Sequence, residues 1–149
     1  MGYSVQIGDL RVTRGIRSAV GRVLESGRFT EGRETAAFER ERAAQVGTRF
    51  AVAVNSGTSA LISALTALKY AGRGGAKVIT TPLTYAADAN AIVLSGMKPV
   101  FVDVDPRTFG MRVDQVEQYL KLYGSADVAV ILPVHLMGYP VDMPAILEL

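Results

Sequence analysis

Asn55, Ser56, Gly57, Thr58 and Ser59 separate an apolar run, Phe50 to Val54, from an alanine- and leucine-rich stretch. Where a chain turns from extended to helical, the first backbone N–H groups of the helix lack internal partners and carry the positive end of its dipole. Gly57 admits close approach of the backbone, and Thr58 and Ser59 offer hydroxyl donors, so this loop can cradle a phosphate. The same residue types cap helices, with Ser56 or Thr58 accepting an amide of the first turn. The loop alone leaves both readings open. Tyr85 follows a turn set by Pro82 and opens the next helical stretch. Its ring suits a flat phosphorylated ligand, stacking being worth about 0.5–1.5 kcal/mol beyond area burial; the alternative is an ordinary core aromatic.

Asp103 and Asp105, in FVDVDP, resemble a metal pair, yet two acids at a strand end more often cap the turn that follows. His135, in ILPVHLMGYP, also closes a strand, either as a wall of the site or as hydrogen-bonded scaffold. The chain has no cysteine and one histidine. That excludes disulfides, thiolate metal sites, a cysteine nucleophile and an all-histidine metal centre within these residues. Neither G-x-G-x-x-G after a strand nor G-x-x-x-x-G-K-[ST] occurs, which argues against a Rossmann-like mononucleotide domain.

The elements that must position these residues follow from hydrophobic patterning. FAVAV, KVITT, PVFVDV and DVAVILPV are short runs rich in β-branched residues. They are followed by SALISALTALKYAG, AADANAIVLSG, VDQVEQYLKLYG and the start of a helix in VDMPAILEL. Strand and helix thus alternate four times, which predicts an α/β fold: a mostly parallel sheet flanked by helices on both faces, with right-handed crossovers. Ligands of such sheets gather beyond the carboxyl ends of the strands, where NSGTS, PLTYAAD, DPRTFGM and HLMGYP lie. Gly72, Gly74 and Gly75 close the first of these helices. Upstream, residues 9–26 and 33–46 read as two helices around GRFTEG, the first with an apolar stripe of Val12, Ile16, Val20 and Leu24. The expected organisation is a helical segment over 1–48 and an alternating β/α region over 49–149.

A length of 149 residues suits one domain, and 49% hydrophobic with 20% charged residues describes a globular chain. The start, MGYSVQIGDLRV, lacks the basic and then apolar layout of a secretion signal, and Gln6 stands where myristoylation needs Ser or Thr. No apolar run approaches the roughly 18–20 residues of a membrane span. A cytoplasmic protein without a membrane partner is expected. Residues 1–50 hold nine arginines against six acids. Interleaved with glutamates and without stacking aromatics, they read as a solvated, salt-bridged helix face rather than a nucleic-acid surface.

Three segments taken together resemble one family, the pyridoxal-phosphate sugar aminotransferases named after DegT, DnrJ, EryC1 and StrS. They are ESGRFTEGRETAAFERERAAQVGTRFAVAVNSGTSAL, TPLTYAADANAIVLSGMKPVFVDVD and AVILPVHLMGYPVDM, in order and covering nearly the whole chain. The resemblance implies the N-terminal part of the large domain of a fold-type I transferase. In it, Gly57, Thr58 and Ser59 hold the phosphate of pyridoxal 5'-phosphate and Tyr85 stacks on the pyridine ring. It further implies a homodimer, glutamate as amino donor and a keto-sugar nucleotide as acceptor, in the service of amino-sugar or polysaccharide biosynthesis. The family's histidine loop reads closer to HLYGQP, so Met137 and Tyr139 replace an aromatic and a glutamine. Asp88 stands where a threonine is common.

Transamination needs a lysine that bonds covalently to the cofactor and an acid that keeps the pyridine nitrogen protonated. Lys69, Lys77, Lys98 and Lys121 are on helices or precede strands, and none leaves a strand's carboxyl end. In the family both groups come after the point where this sequence stops. The expectation is therefore a fragment that does not catalyse by itself, lacks the catalytic half and leaves an aggregation-prone sheet edge. The alternatives are a sugar dehydratase of the same superfamily and a non-catalytic module that retains the phosphate turn.

Overall fold

The computed structural model describes residues 11–72 and 76–149. The opening MGYSVQIGDL, including the expected helix start at residue 9, lies outside these, as do Gly74 and Gly75. The chain divides into two compact units, one ending at Ala53 and one beginning at Val54.

The first unit contains α1 (Arg14–Ser26) and α2 (Arg33–Val46). Helix α1 starts later than its periodicity suggests. Thr13 is extended (ψ 169°) and its hydroxyl accepts the Ile16 amide at 3.3 Å, which fixes Arg14 as the first helical residue. Gly27, at φ 65°, ends the helix in the left-handed region that favours glycine. The stripe of Val12, Ile16, Val20 and Leu24 is exposed along its length. Arg33 pairs with its neighbour Glu34, while Glu39 instead accepts the Ala53 amide at 2.8 Å and Arg42 donates to Gln45.

Phe50 to Val54 does not join a ladder, contrary to the expectation of a strand. The segment is irregular, its Phe50, Val52 and Val54 are exposed, and the Ala53 amide is taken by a carboxylate. Apolar β-branched residues make a strand only beside a neighbouring strand, and the described residues supply none here.

The second unit runs α3 (Gly57–Tyr70), β1 (Lys77–Thr80), α4 (Ala86–Leu94), β2 (Lys98–Phe101), α5 (Val113–Tyr123), β3 (Val128–Ile131), a 3-10 turn (Leu136–Gly138) and α6 (Met143–Leu147). Its sheet is parallel throughout, in the order β2-β1-β3. Strand β1 is central and buried on both faces. Val78 packs with Leu65, Ala91, Ile92 and Met97 from the α3 and α4 side. Ile79 packs with Val102, Met111, Val116, Val141 and Ile146 from the α5 and α6 side. A bulge at Lys77/Val78 lets Val128 and Ile131 of β3 share the Ile79 face while Ala129 and Val130 share the other.

Helix α4 carries the chain from β1 to β2 on one face, and α5 carries it back past β1 to β3 on the other. Opposite directions on opposite faces give both crossovers the same hand, as parallel connections require.

The amino edge of the sheet is pinned by Asp127. Its carboxylate accepts the Ala76 amide at 3.2 Å and pairs with Lys77 Nζ at 3.0 Å. The Ala76 amide and then Lys77 hold Asp127 below the ordinary carboxylate range. Asp127 and then Tyr119 raise Lys77 above its ordinary value. On the α3 and α4 side, Lys69 Nζ closes the end of α4 against the Ser95 carbonyl at 3.2 Å.

Two expectations follow. Replacing the fully buried Ile79 by alanine should cost about 2–5 kcal/mol in urea denaturation; a loss below about 1 kcal/mol would refute its central position. The depressed Asp127 contributes stability above its unfolded pKa, lost as pH falls through the folded one. Asp127→Asn should therefore flatten the decline in melting temperature below about pH 4, and an unaltered acid limb would remove Asp127 from the account.

Candidate functional site

Helices α3 and α4 lie on one face of the sheet and each runs against the strands, since α3 ends just before β1 and α4 leads from the end of β1 to the start of β2. They therefore run in the same direction, with both starts at the carboxyl edge. Thr66 Oγ1 meets Ser95 Oγ at 3.5 Å, and the latter also donates to the Ile62 carbonyl at 3.4 Å. Ten residues upstream of Thr66 is Ser56, the N-cap of α3; ten upstream of Ser95 is Tyr85, the N-cap of α4. At 1.5 Å per residue both caps sit about 15 Å along their helices from the same contact, hence level with each other and roughly one helix spacing apart.

At the start of α3, Ser56 is extended (φ −160°, ψ 160°) and its Oγ accepts the Ser59 amide at 3.1 Å. Its hydroxyl donates to Ser59 Oγ at 3.0 Å, which leaves the Ser59 hydroxyl hydrogen available. The helix ladder begins with the Ala60 amide on the Ser56 carbonyl. Among the described residues, no acceptor engages the amides of Gly57 or Thr58. A Cβ built on Gly57 would meet nothing within 4 Å. Ser56 thus caps one amide of the first turn, and the amides of Gly57 and Thr58 have no acceptor among the described residues.

Tyr85 is 83% exposed, which overturns the core-aromatic alternative. Its backbone is extended and its side chain makes no cap; beside it the Thr84 hydroxyl donates to the Asp88 carboxylate. Asp88 lies in the first turn of α4, where a negative charge complements the dipole.

Asp105 is a turn residue. Its Oδ1 accepts the amides of Arg107 at 2.7 Å and Thr108 at 3.1 Å, and these bonds, Arg107 first, lower its pKa. Asp103 Oδ1 accepts the Val104 amide at 2.8 Å. Among the described residues, no group of three or more His, Cys, Asp or Glu could hold a metal ion. His135 Nδ1 accepts the Val141 amide at 3.0 Å, which puts the proton of the neutral ring on Nε2 and ties the β3 loop to the approach to α6. Beyond it, Met137 is exposed at φ 51°, a left-handed conformation uncommon for methionine.

The lysines lie elsewhere. Lys69 is in the last turn of α3, Lys77 and Lys98 begin β1 and β2, and Lys121 is in the last turn of α5, bonded to Glu117. All four belong to the amino edge of the sheet. No helix among the described residues is long and apolar enough to cross a membrane.

Comparison with known proteins addresses the same frame. The profile of the DegT/DnrJ/EryC1/StrS aminotransferase family matches residues 11–149. The chain is 43% identical over 129 residues to the spore coat polysaccharide biosynthesis protein SpsC of Bacillus subtilis, covering 86% of the chain and 31% of that protein. It is 38% identical to UDP-N-acetyl-3-dehydro-alpha-D-glucosamine 3-aminotransferase of Acidithiobacillus ferrooxidans, over 90% of the chain and 35% of the relative. Among solved structures, the PLP form of the putative sugar aminotransferase Spr1654 from Streptococcus pneumoniae superposes with a TM-score of 0.81 at 31% identity. That match covers 98% of the chain and 36% of the other. The chain spans about a third of the length of the curated relatives it matches. With a parallel sheet between helices, as in fold-type I transferases, and a family profile matching from Arg11 to its last residue, the chain belongs to the DegT/DnrJ/EryC1/StrS aminotransferase family.

Proposed function

We propose that these residues form the cofactor-phosphate portion of a pyridoxal-phosphate-dependent nucleotide-sugar aminotransferase. One observation carries this reading. Two amides at the start of α3 have no acceptor among the described residues, and an exposed aromatic residue opens the neighbouring α4. The amides of Gly57 and Thr58, with the hydroxyls of Thr58 and Ser59, would grip a phosphate dianion, aided by a helix dipole worth about 0.3–1 kcal/mol. Tyr85 would cover one face of the pyridine ring and shield it from water. A methyl group at position 57 would meet no atom within 4 Å, so the backbone there is open to close approach, and the donor set fits the phosphate of pyridoxal 5'-phosphate.

When bound, the cofactor supplies an electron sink through which an amino group passes between a donor and a carbonyl acceptor. This chain's part is to bind and orient the phosphate and ring. None of its four lysines is at this edge, so in this reading the covalent chemistry belongs to a residue outside these 149. The relative from Acidithiobacillus is named for amino transfer to a UDP-linked dehydro sugar. We extend that to a keto-sugar nucleotide acceptor here, with glutamate as donor, in a cytoplasmic homodimer.

In a full-length parent protein, Gly57→Asp should abolish retention of pyridoxal phosphate through gel filtration, since it sets a like charge against the dianion. Tyr85→Ala should weaken retention about 2- to 13-fold without moving the thermal transition, because the ring is exposed. Wild-type affinity in both variants would overturn the assignment.

A further inference from the structure

Strands β1 and β3 are neighbours, yet the chain leaves them toward opposite faces of the sheet. From β1 it turns to α4, on the Val78 face; from β3 it runs to α6, whose Ile146 packs on the Ile79 face. Loops that part in this way open a crevice between the carboxyl ends of the two strands, the place where open parallel sheets take their ligands. The strand ends are tied side by side. The Thr80 hydroxyl donates to the Leu132 carbonyl at 3.0 Å, and the Leu132 amide donates to the Ile79 carbonyl at 2.8 Å. Tyr85 belongs to the loop on one side of the crevice and His135 to the loop on the other.

His135 is exposed, and its ring is held at one nitrogen. Nδ1 accepts the Val141 amide at 3.0 Å, and among the described residues Nε2–H has no acceptor. Val141 is a firm anchor: its side chain is in the core with Met111, Val116 and Ile146, and a Cβ built on Gly110 would stand 3.4 Å from its Cγ2. The intervening loop is drawn tight. The Gly138 amide bonds the His135 carbonyl at 3.2 Å and the Tyr139 amide the Leu136 carbonyl at 3.0 Å, with Met137 between them at φ 51°. Backbone strain held by surrounding bonds gathers at ligand sites. A ring whose tautomer is fixed at one nitrogen presents a donor of fixed identity at the other. We propose that His135 is a binding residue of this crevice, Nε2–H donating a hydrogen bond to an oxygen of a bound reactant while Nδ1 stays on Val141. The inference rests on the reading of the α3 start as a cofactor-phosphate turn and extends it to the facing loop. Two oxygens offer the same chemistry, one on the cofactor's pyridine ring and one on the keto-sugar acceptor.

Two variants of a full-length parent protein separate the two nitrogens. Asparagine and glutamine amides each carry a donor and an acceptor; that of asparagine reaches as far as Nδ1, that of glutamine as far as Nε2. His135→Asn therefore keeps an acceptor for Val141 and removes the outer donor. It should leave the thermal transition in place and weaken binding about 2- to 13-fold, the worth of one hydrogen bond. His135→Gln leaves the amide of the buried Val141 unpaired, so it should lower the thermal transition while keeping more of the affinity than His135→Asn. Two measurements read the binding: the dissociation constant of pyridoxal phosphate by fluorescence titration, and KM for a keto-sugar nucleotide at saturating cofactor. Weakening of the first assigns the oxygen to the cofactor; weakening of the second alone assigns it to the acceptor. Wild-type values of both in His135→Asn with an unchanged thermal transition would overturn the proposal and leave His135 as scaffold, even where Gly57→Asp loses the cofactor. Equal losses in both variants together with a lowered transition in both would overturn it as well. Retention of pyridoxal phosphate by Gly57→Asp would remove the cofactor reading and this proposal with it.

Discussion

The constraint on which the second unit depends is the burial of β1 on both faces. Val78 and Ile79 are adjacent, point to opposite sides and are both fully buried. Each side chain gains about 1.5–3 kcal/mol by leaving water, and neither gain is available unless a helical layer covers its face. The sheet therefore sits between α3 with α4 and α5 with α6. Because each helix must return the chain to the amino edge before the next parallel strand, all helix starts collect at the carboxyl edge.

That arrangement is what turns an ordinary helix cap into a candidate binding site. An isolated Ser56 would satisfy one amide and leave the others to water. Here α4 lies beside α3 in the same direction, so Gly57 and Thr58 at the start of one and Tyr85 at the start of the other belong to one edge of the sheet. The dipoles of both helices point the same way, and Asp88 is set into the first turn of α4 with its carboxylate engaged by Thr84.

The opposite edge is built for permanence rather than for ligands. Asp127 ties the entry of β3 to β1 through an amide and an ammonium, and Lys69 neutralises the carbonyl end of α4. Gly96 adopts φ 70° with Lys69 Nζ 2.5 Å from where a Cβ would stand, so the lysine and the glycine are fitted to one another. Lys69 and Lys77 are thus committed to structure at this edge.

Patterning of apolar residues determined the α/β class, the places of β1, β2 and β3 and the helices between them, because period-2 and period-3.6 burial are local properties of the chain. It also places Gly57, Thr58, Ser59 and Tyr85 at helix-opening loops, which is why they are proposed as site residues, since such loops are readable from residue types. Pairing is not local. Phe50 to Val54 carries every mark of a strand and is irregular, because a ladder needs a neighbour that side chains cannot announce. Whether Ser56 capped, whether Asp105 served a turn and whether Tyr85 was core or surface depended equally on what packs nearby. Those answers came from the tertiary structure: hydrogen-bond partners and exposure are set by distances between segments that the order of residues leaves undetermined.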